Sequence, residues 1–189
     1  MSRLPEQLES PRLILRIPVS ADAPAVNVAV MDSFQELNVW MDWAAEPQSL
    51  EQSREFCADA RKKWNSDESY GLIMVRKDDG VIVGATGYPS IDWQVPKFEI
   101  GYWCRTMFVG HGYASEATRA LARLAFDAHQ AVRVELRMDD QNERSWRVAE
   151  RMGFELEGVL RGDARSNGGE VRDTRVYAMV DPSRLRHGI

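Results

Sequence analysis

Two cysteines, Cys57 and Cys104, are all that the 189-residue chain holds. That is too few for a disulfide framework, and neither stands at the Cys/His spacing of a structural zinc site. Such usage fits a reducing compartment and points to a cytoplasmic protein. Histidine is equally scarce: His111, His129 and His187 stand apart without Asp or Glu at ligand spacing, so no metal centre is expected. No apolar run approaches the roughly 20 residues of a membrane-spanning helix, and the opening MSRLPEQLESPRLILRIP has no apolar core for a signal peptide. Basic excess is absent too. With 24 Lys and Arg against 29 Asp and Glu the formal charge is −5, which offers no general attraction to nucleic acid or anionic lipid.

What is present is ordinary for a folded domain: 44% hydrophobic and 28% charged residues, at a length that favours one core. With no repeat, low-complexity tract or linker, the chain reads as a single domain over 1–189, with its core at about 9–181. Residues 11–17, PRLILRI, alternate as a first strand before Pro18. Ser20 and Asp22 stand where they could cap a helix running to about Met31. The stretch 32–48, with Trp40, Met41 and Trp43, has no clean period and reads as loop or short helix. Ser49 followed by Gln52 makes a capping-box pattern for a helix over about 49–65.

Residues 70–75 and 81–87 flank the turn Lys77-Asp78-Asp79-Gly80 as a hairpin, and 97–104 follows Pro96 as a further strand. From Gly112 the chain reads GYASEATRALARLAFDAH, with Ala117, Leu121, Leu124, Ala125 and Ala128 on one helical face. A strand over 132–138 and a helix over 142–152 follow, the helix closed by Gly153 in the position that favours a left-handed cap. Strands over 154–162 and 171–180 flank Ser166-Asn167-Gly168-Gly169, a hairpin signal, and the tail beyond Asp181 is polar and reads as loose. The sum is an α/β chain of mixed α+β order.

Chemistry concentrates where the strand 97–104 meets the helix at Gly112. Glycines at a strand-to-helix junction let backbone N–H groups face outward, and the helix N-terminus adds about half a positive charge, so Gly110-His111-Gly112 sketches an anion cradle. A tight turn alone would read the same. The spacing is neither a Walker A loop nor the GxGxxG of dinucleotide folds, since Ser115 stands where its third glycine would fall.

The segments PRLILR (11–16), FEIGYW (98–103), GHGYASEA (110–117), NERSWRVAERMGFELEGVLR (142–161) and DTRVYAMV (173–180) together resemble the GNAT acetyltransferase superfamily, and within it the RimJ/RimL-type N-acetyltransferases. The resemblance spans nearly the whole chain. It implies a mixed, mostly antiparallel seven-stranded sheet, splayed between its fourth and fifth strands at 98–104 and 132–138, with about four flanking helices. Acetyl-CoA would lie in the splay as co-substrate, with no metal. Backbone at Tyr102, Trp103 and Cys104 would bond its pantetheine arm, and the amides of Val109, Gly110, His111, Gly112, Tyr113 and Ala114 its pyrophosphate. Asn142 would meet the pantetheine amide. One departure is Met107, where the superfamily loop often carries Arg or Gln.

Ser145 completes the N-x-x-S pattern begun by Asn142, and the resemblance gives it the general-acid role at the leaving thiolate; a first-turn serine that satisfies the helix N-terminus is the other reading. Glu99 matches a general-base glutamate of some superfamily members, with Asp92 as fallback, although a strand glutamate is also commonly solvated. The resemblance further implies direct attack by a primary amine, with a protein or peptide N-terminal α-amine favoured over a small amine or antibiotic, and a homodimer as the usual assembly. A non-catalytic acetyl-CoA-binding sensor needs only the cradle. Trp40, Trp43, Trp93 and Tyr88 are candidates for an acceptor wall. Glu143, Arg147 and Arg151 read as a surface ion-pair ladder.

Overall fold

The computed structural model describes residues 4–186, so His187 lies outside the described residues. Eight strands form one sheet: β1 (Gln7–Glu9), β2 (Leu13–Arg16), β3 (Tyr70–Arg76), β4 (Ile82–Asp92), β5 (Lys97–Cys104), β6 (Arg133–Asp139), β7 (Glu155–Arg165) and β8 (Val171–Met179). Five α-helices accompany it: α1 (Ala23–Met31), α2 (Phe34–Trp40), α3 (Leu50–Asn65), α4 (Tyr113–Arg123) and α5 (Glu143–Met152). The strand order is β1-β2-β3-β4-β5-β6-β8-β7, antiparallel throughout except for the parallel pair β5 and β6.

Helices cover both faces of the first half of the sheet, and this explains why β3, YGLIMVR, is apolar without alternation. Leu72 and Met74 enter the larger core, shared with α4 and α5 through Ala117, Leu121, Val148 and Met152. Ile73 and Val75, which point the other way, join Val26, Val30 and Cys57 of α1 and α3.

Local chemistry sets the helix ends. The Ser49 hydroxyl accepts the Gln52 N–H at 3.2 Å while the Ser49 N–H donates to the Gln52 side chain at 2.8 Å, closing the capping box of α3. Gly153 closes α5 at φ +93°, where a Cβ would meet the Arg184 carbonyl at 2.3 Å.

The structure departs from the sequence reading in several places. The sheet has eight strands rather than seven, because Gln7–Glu9 is a three-residue polar edge strand with no apolar alternation to announce it. Five helices replace the expected four, since 34–40 folds as α2. Asp22 does not cap α1; its carboxylate takes two bonds from Arg16 at 2.7 Å and one from the Val19 N–H. After Arg123 the last helical stretch widens to a π turn over Leu124–Ala128, which shifts the helical phase: Phe126 is buried and Ala128 exposed. The described part of the tail, to Arg186, is docked rather than loose. Leu185 packs on the larger core, and the Arg186 N–H bonds the Met152 carbonyl.

Candidate active site

β5 and β6 run together for three residue pairs, Lys97 with Arg133, Phe98 with Val134 and Glu99 with Glu135, and the ladder then stops. Beyond that vertex β6 stays with β8 while β5 stays with β4, leaving the edge of Ile100–Cys104 facing a wedge. A bulge in β4, where Tyr88 and Pro89 stand opposite Ile100, bends the strand pair at the same level.

The open end of the wedge meets the loop before α4. Gly110 and Gly112 sit at φ +87° and +82°, a conformation that costs an L-residue about 1–2 kcal/mol and that turns successive amides outward. The Val109 N–H bonds the Thr106 carbonyl and the His111 N–H the Phe108 carbonyl, so these two are used by the turn itself. The amides of Gly110 and Gly112 have no partner among the described residues, and those of Tyr113 and Ala114 open the helix without an intrahelical acceptor.

A buried brace fixes this loop to the N-terminal segment. Glu116, 4% exposed in α4, accepts bonds of 2.7 Å each from the Ser10 hydroxyl, the Arg12 N–H and the Arg12 Nε. Arg12 in turn donates to the His111 carbonyl and stacks its guanidinium 4.6 Å from the Tyr113 ring centre. Burial would raise the Glu116 carboxyl, but the bonds from Ser10 and Arg12 outweigh it and hold it below the ordinary range. Nothing local marks this brace, because its partners stand 104 and 106 positions apart.

Across the wedge stands the first turn of α5. The Asn142 side chain accepts the Ser145 N–H at 3.2 Å, so Asn142 caps the helix through its Oδ1. The Ser145 hydroxyl is thereby free of capping duty. It lies 3.0 Å from the Tyr102 hydroxyl, which reaches across from β5 and also donates to the Ser145 carbonyl at 3.0 Å. Burial pushes the Tyr102 phenol up to about 12, so it remains a proton donor at neutral pH.

Glu99 sits at the vertex, half-buried. Burial raises its carboxyl above the ordinary range, the Arg137 charge pulls it back and the Glu135 carboxylate raises it again. Asp92 is elsewhere: its carboxylate accepts the Gln94 and Val95 N–H groups and caps the β4–β5 turn, at the far end of β5 from the cradle. Cys104 is half-buried, and burial pushes its thiol up to about 11, the reverse of an activated nucleophile. Arg105 is engaged with Asp32 rather than with the loop. Arg151 leaves the expected surface ladder, donating instead to the Ser115 hydroxyl at 3.2 Å, while Arg147 and Glu143 do pair.

On the α1 and α3 side of the sheet a cavity of about 560 Å³ shares the wall Gly101–Trp103 with the wedge. Trp43 and Tyr88 line it, as do Trp103 and Phe56, which sequence reasoning did not place there. Trp93 does not; it packs on Phe98 and His129 on the other face. Trp40 lies beneath Arg172 in a second, charged cavity of about 220 Å³ between α2 and the β7–β8 hairpin. Asn167 at that hairpin tip bonds the carbonyls of Asn38 and Met41, joining it to α2. Among the described residues no group of three His, Cys, Asp or Glu side chains could hold a metal, and no helix is long and apolar enough to cross a membrane.

A parted sheet with unpaired amides at its open end and a substrate-sized cavity behind it is an arrangement that suits a group-transfer enzyme with an extended, anionic donor. Residues 12–155 match the acetyltransferase (GNAT) domain family. YdaF of Bacillus subtilis, whose name marks it as a candidate ribosomal N-acetyltransferase, is 31% identical over 160 residues, 82% of this chain and 85% of the relative. The ribosomal-protein-serine acetyltransferase of Escherichia coli is 30% identical over 109 residues, 58% of this chain and 60% of the relative. Two solved structures share the fold: the microcin C7 self-immunity acetyltransferase MccE in complex with acetyl-CoA and AMP, at TM-score 0.87, 24% identity and coverage of 95% and 99%, and the ribosomal L7/L12 α-N-protein acetyltransferase RimL with coenzyme A, at 0.86, 23% and 94% and 99%. The chain belongs to the GNAT family, and it is an acetyl-CoA-dependent N-acetyltransferase of the RimJ/RimL type.

Proposed function

We propose that the enzyme acetylates a protein or peptide N-terminal α-amine by direct transfer. The observation that carries the reading is the coincidence of the parted β5–β6 edge with the free amides of Gly110, Gly112, Tyr113 and Ala114. A diphosphate fits those amides, and a pantetheine arm fits the unpaired edge at Tyr102–Cys104, where its amides replace the missing strand. Asn142, whose Oδ1 is taken by the cap, has its NH2 available as a donor to that arm. The names of the similar enzymes support an α-amine acceptor, and so does its chemistry: an α-amino group with pKa near 7.7–8.0 needs only a mild base, where a lysine near 10.4 needs a strong one.

In the transfer the amine nitrogen bonds the thioester carbonyl carbon and the carbon–sulfur bond breaks. Glu99, directly or through one water, takes the proton the amine loses, and the burial that raises its pKa makes it a stronger base than an exposed carboxylate. The hydroxyl pair Ser145–Tyr102 donates a proton to the departing sulfur and is restored from solvent. Cys104 takes no covalent part. Holding donor and acceptor on the shared wall Gly101–Trp103 supplies the proximity.

A screen with acetyl-CoA that reads free thiol against N-terminal peptides, small amines and aminoglycosides tests the acceptor. The reading predicts turnover with peptides that stops when their N-terminus is blocked. Turnover confined to small amines would move the enzyme to that class, and coenzyme A binding without any transfer would make the chain a sensor. Calorimetry with ATP as control separates pantetheine recognition from simple phosphate binding.

A further inference from the structure

From the cavity behind the wedge we infer that the acceptor carries an uncharged, apolar group, with room for an aromatic ring, next to its reacting amine. This rests on the acetyl-transfer reading above and adds the substrate's chemical class. The cavity of about 560 Å³ falls in the size range of small-ligand sites and borders the splay through Gly101, Tyr102 and Trp103, so a group seated there places its neighbouring atoms at the thioester position.

Its chemistry is one-sided. No charged side chain lines it. Among its polar groups, the Thr86 hydroxyl donates to the Gly101 carbonyl at 2.9 Å, that of Tyr88 to the Leu121 carbonyl at 2.6 Å, that of Tyr70 to Asp67 at 2.8 Å and that of Tyr102 to the Ser145 carbonyl at 3.0 Å, while Gln48 and Ser69 add only uncharged polarity. A carboxylate or guanidinium entering here would lose its water and find no counter-charge, the situation in which a pocket rejects a ligand most strongly. The mouth is aromatic. Trp43 and Phe56 remain 45% and 41% exposed, and Trp43 faces Trp103 at 6.1 Å between ring centres with planes tilted by 55°. Apolar surface left in water at a cavity mouth is covered when an apolar ligand arrives, and aromatic rings favour tilted or offset partners. The same surroundings favour the uncharged form of an amine at the cavity's edge, which is the form that attacks.

The charged cavity beside it is a poorer seat. Met41 lines both, but there Arg137 is paired with Asp163 and Arg172 with Asp139, each at 3.0 Å, and an acidic or basic acceptor would have to break these pairs.

Three acceptors with one α-amine and one amide isolate the side chain: phenylalaninamide, isoglutamine and argininamide. The expected kcat/KM for phenylalaninamide exceeds each of the others at least tenfold. Phe56→Lys, a change at a position 41% exposed, is expected to lower the phenylalaninamide value at least fivefold and raise that of isoglutamine, with the KM for acetyl-CoA unmoved as the sign that the fold is kept. Calorimetry with the same three compounds on protein saturated with coenzyme A is expected to give the same order without turnover. Transfer that is indifferent to side chain, or best for isoglutamine or argininamide, overturns the inference while leaving acetyl transfer standing. The binding order without transfer to any amine supports the cavity's class and sinks the catalytic reading instead.

Discussion

The two sides of the wedge are built by opposite means. On the proposed donor side the ligand would meet main chain: free amides at Gly110, Gly112, Tyr113 and Ala114, an unpaired strand edge at Tyr102–Cys104, and a loop held by a brace from Glu116 and Arg12. On the proposed acceptor side it would meet side chains, gathered from α1, the 41–43 turn, α3 and three strands. Backbone recognition tolerates substitution but depends on a few exact torsions. Side-chain recognition has no special torsion and changes its chemistry with every replacement. The donor side therefore serves one cofactor, while the acceptor side can be retuned within the same fold.

The largest expected effect breaks the donor side at its torsion. Gly112→Val forces a β-branched residue to φ +82° beside the Arg12 guanidinium, and a strained backbone costs on the order of 1–3 kcal/mol. If that strain falls on the cradle, the KM for acetyl-CoA rises roughly tenfold to a hundredfold in steady-state kinetics, each 1.4 kcal/mol being about tenfold. An unchanged KM would mean that the loop is only a turn.

Next comes the brace. Glu116→Ala leaves Ser10 and Arg12 without their shared acceptor, and loss of one partner of a buried hydrogen-bonded pair costs about 2 kcal/mol once the half-exposed Arg12 is allowed for. Urea unfolding should show this. Because the Glu116 pKa is lowered in the folded protein, the brace's contribution is present above the ordinary carboxylate range and is lost as pH falls through its depressed value. The difference between wild type and variant should shrink in acid.

Tyr102→Phe removes the hydroxyl that faces Ser145 and leaves the strand edge intact. The expected result is a kcat lowered roughly tenfold, within the range of lost acid–base assistance, at an unchanged KM for acetyl-CoA. Glu99→Gln should flatten the acid limb of the kcat/KM profile, since a base with a raised pKa is switched off as pH falls through that value.

The smallest effect lies outside the wedge. His129 packs against Trp93 and Phe98 with its Nε2 unpartnered among the described residues, and burial lowers its pKa. The neutral ring is thus favoured in the folded state. Stability is full above the unfolded pKa of about 6.5 and falls as pH drops below it, and His129→Leu should weaken that dependence in thermal melts.

The turns were largely readable in the sequence because left-handed torsions leave glycines, and Gly110, Gly112 and Gly153 mark the loop before α4 and the α5 terminus. Strong local patterns were equally readable: Ser49 and Gln52 for α3, and the apolar runs of β3 and β5. The acceptor side was not. Val26, Phe56 and Trp103 look like any core residue, and only the fold brings them to one cavity. β1 escaped because it is three residues long, with Leu8 as its single apolar contact to the core, too short to show a pattern. The free state of the Ser145 hydroxyl was hidden as well, since it depends on Asn142 taking the cap.

The central claim is that main chain at two places, the helix entry and the edge of β5, holds the donor. Amide-resolved NMR during titration with coenzyme A tests it residue by residue. The account predicts the largest shifts at Gly110, Gly112, Tyr113 and Ala114 and at Tyr102–Cys104, with little change at β1 or β7. Saturation binding that leaves those amides unmoved, or moves a different surface, would contradict it.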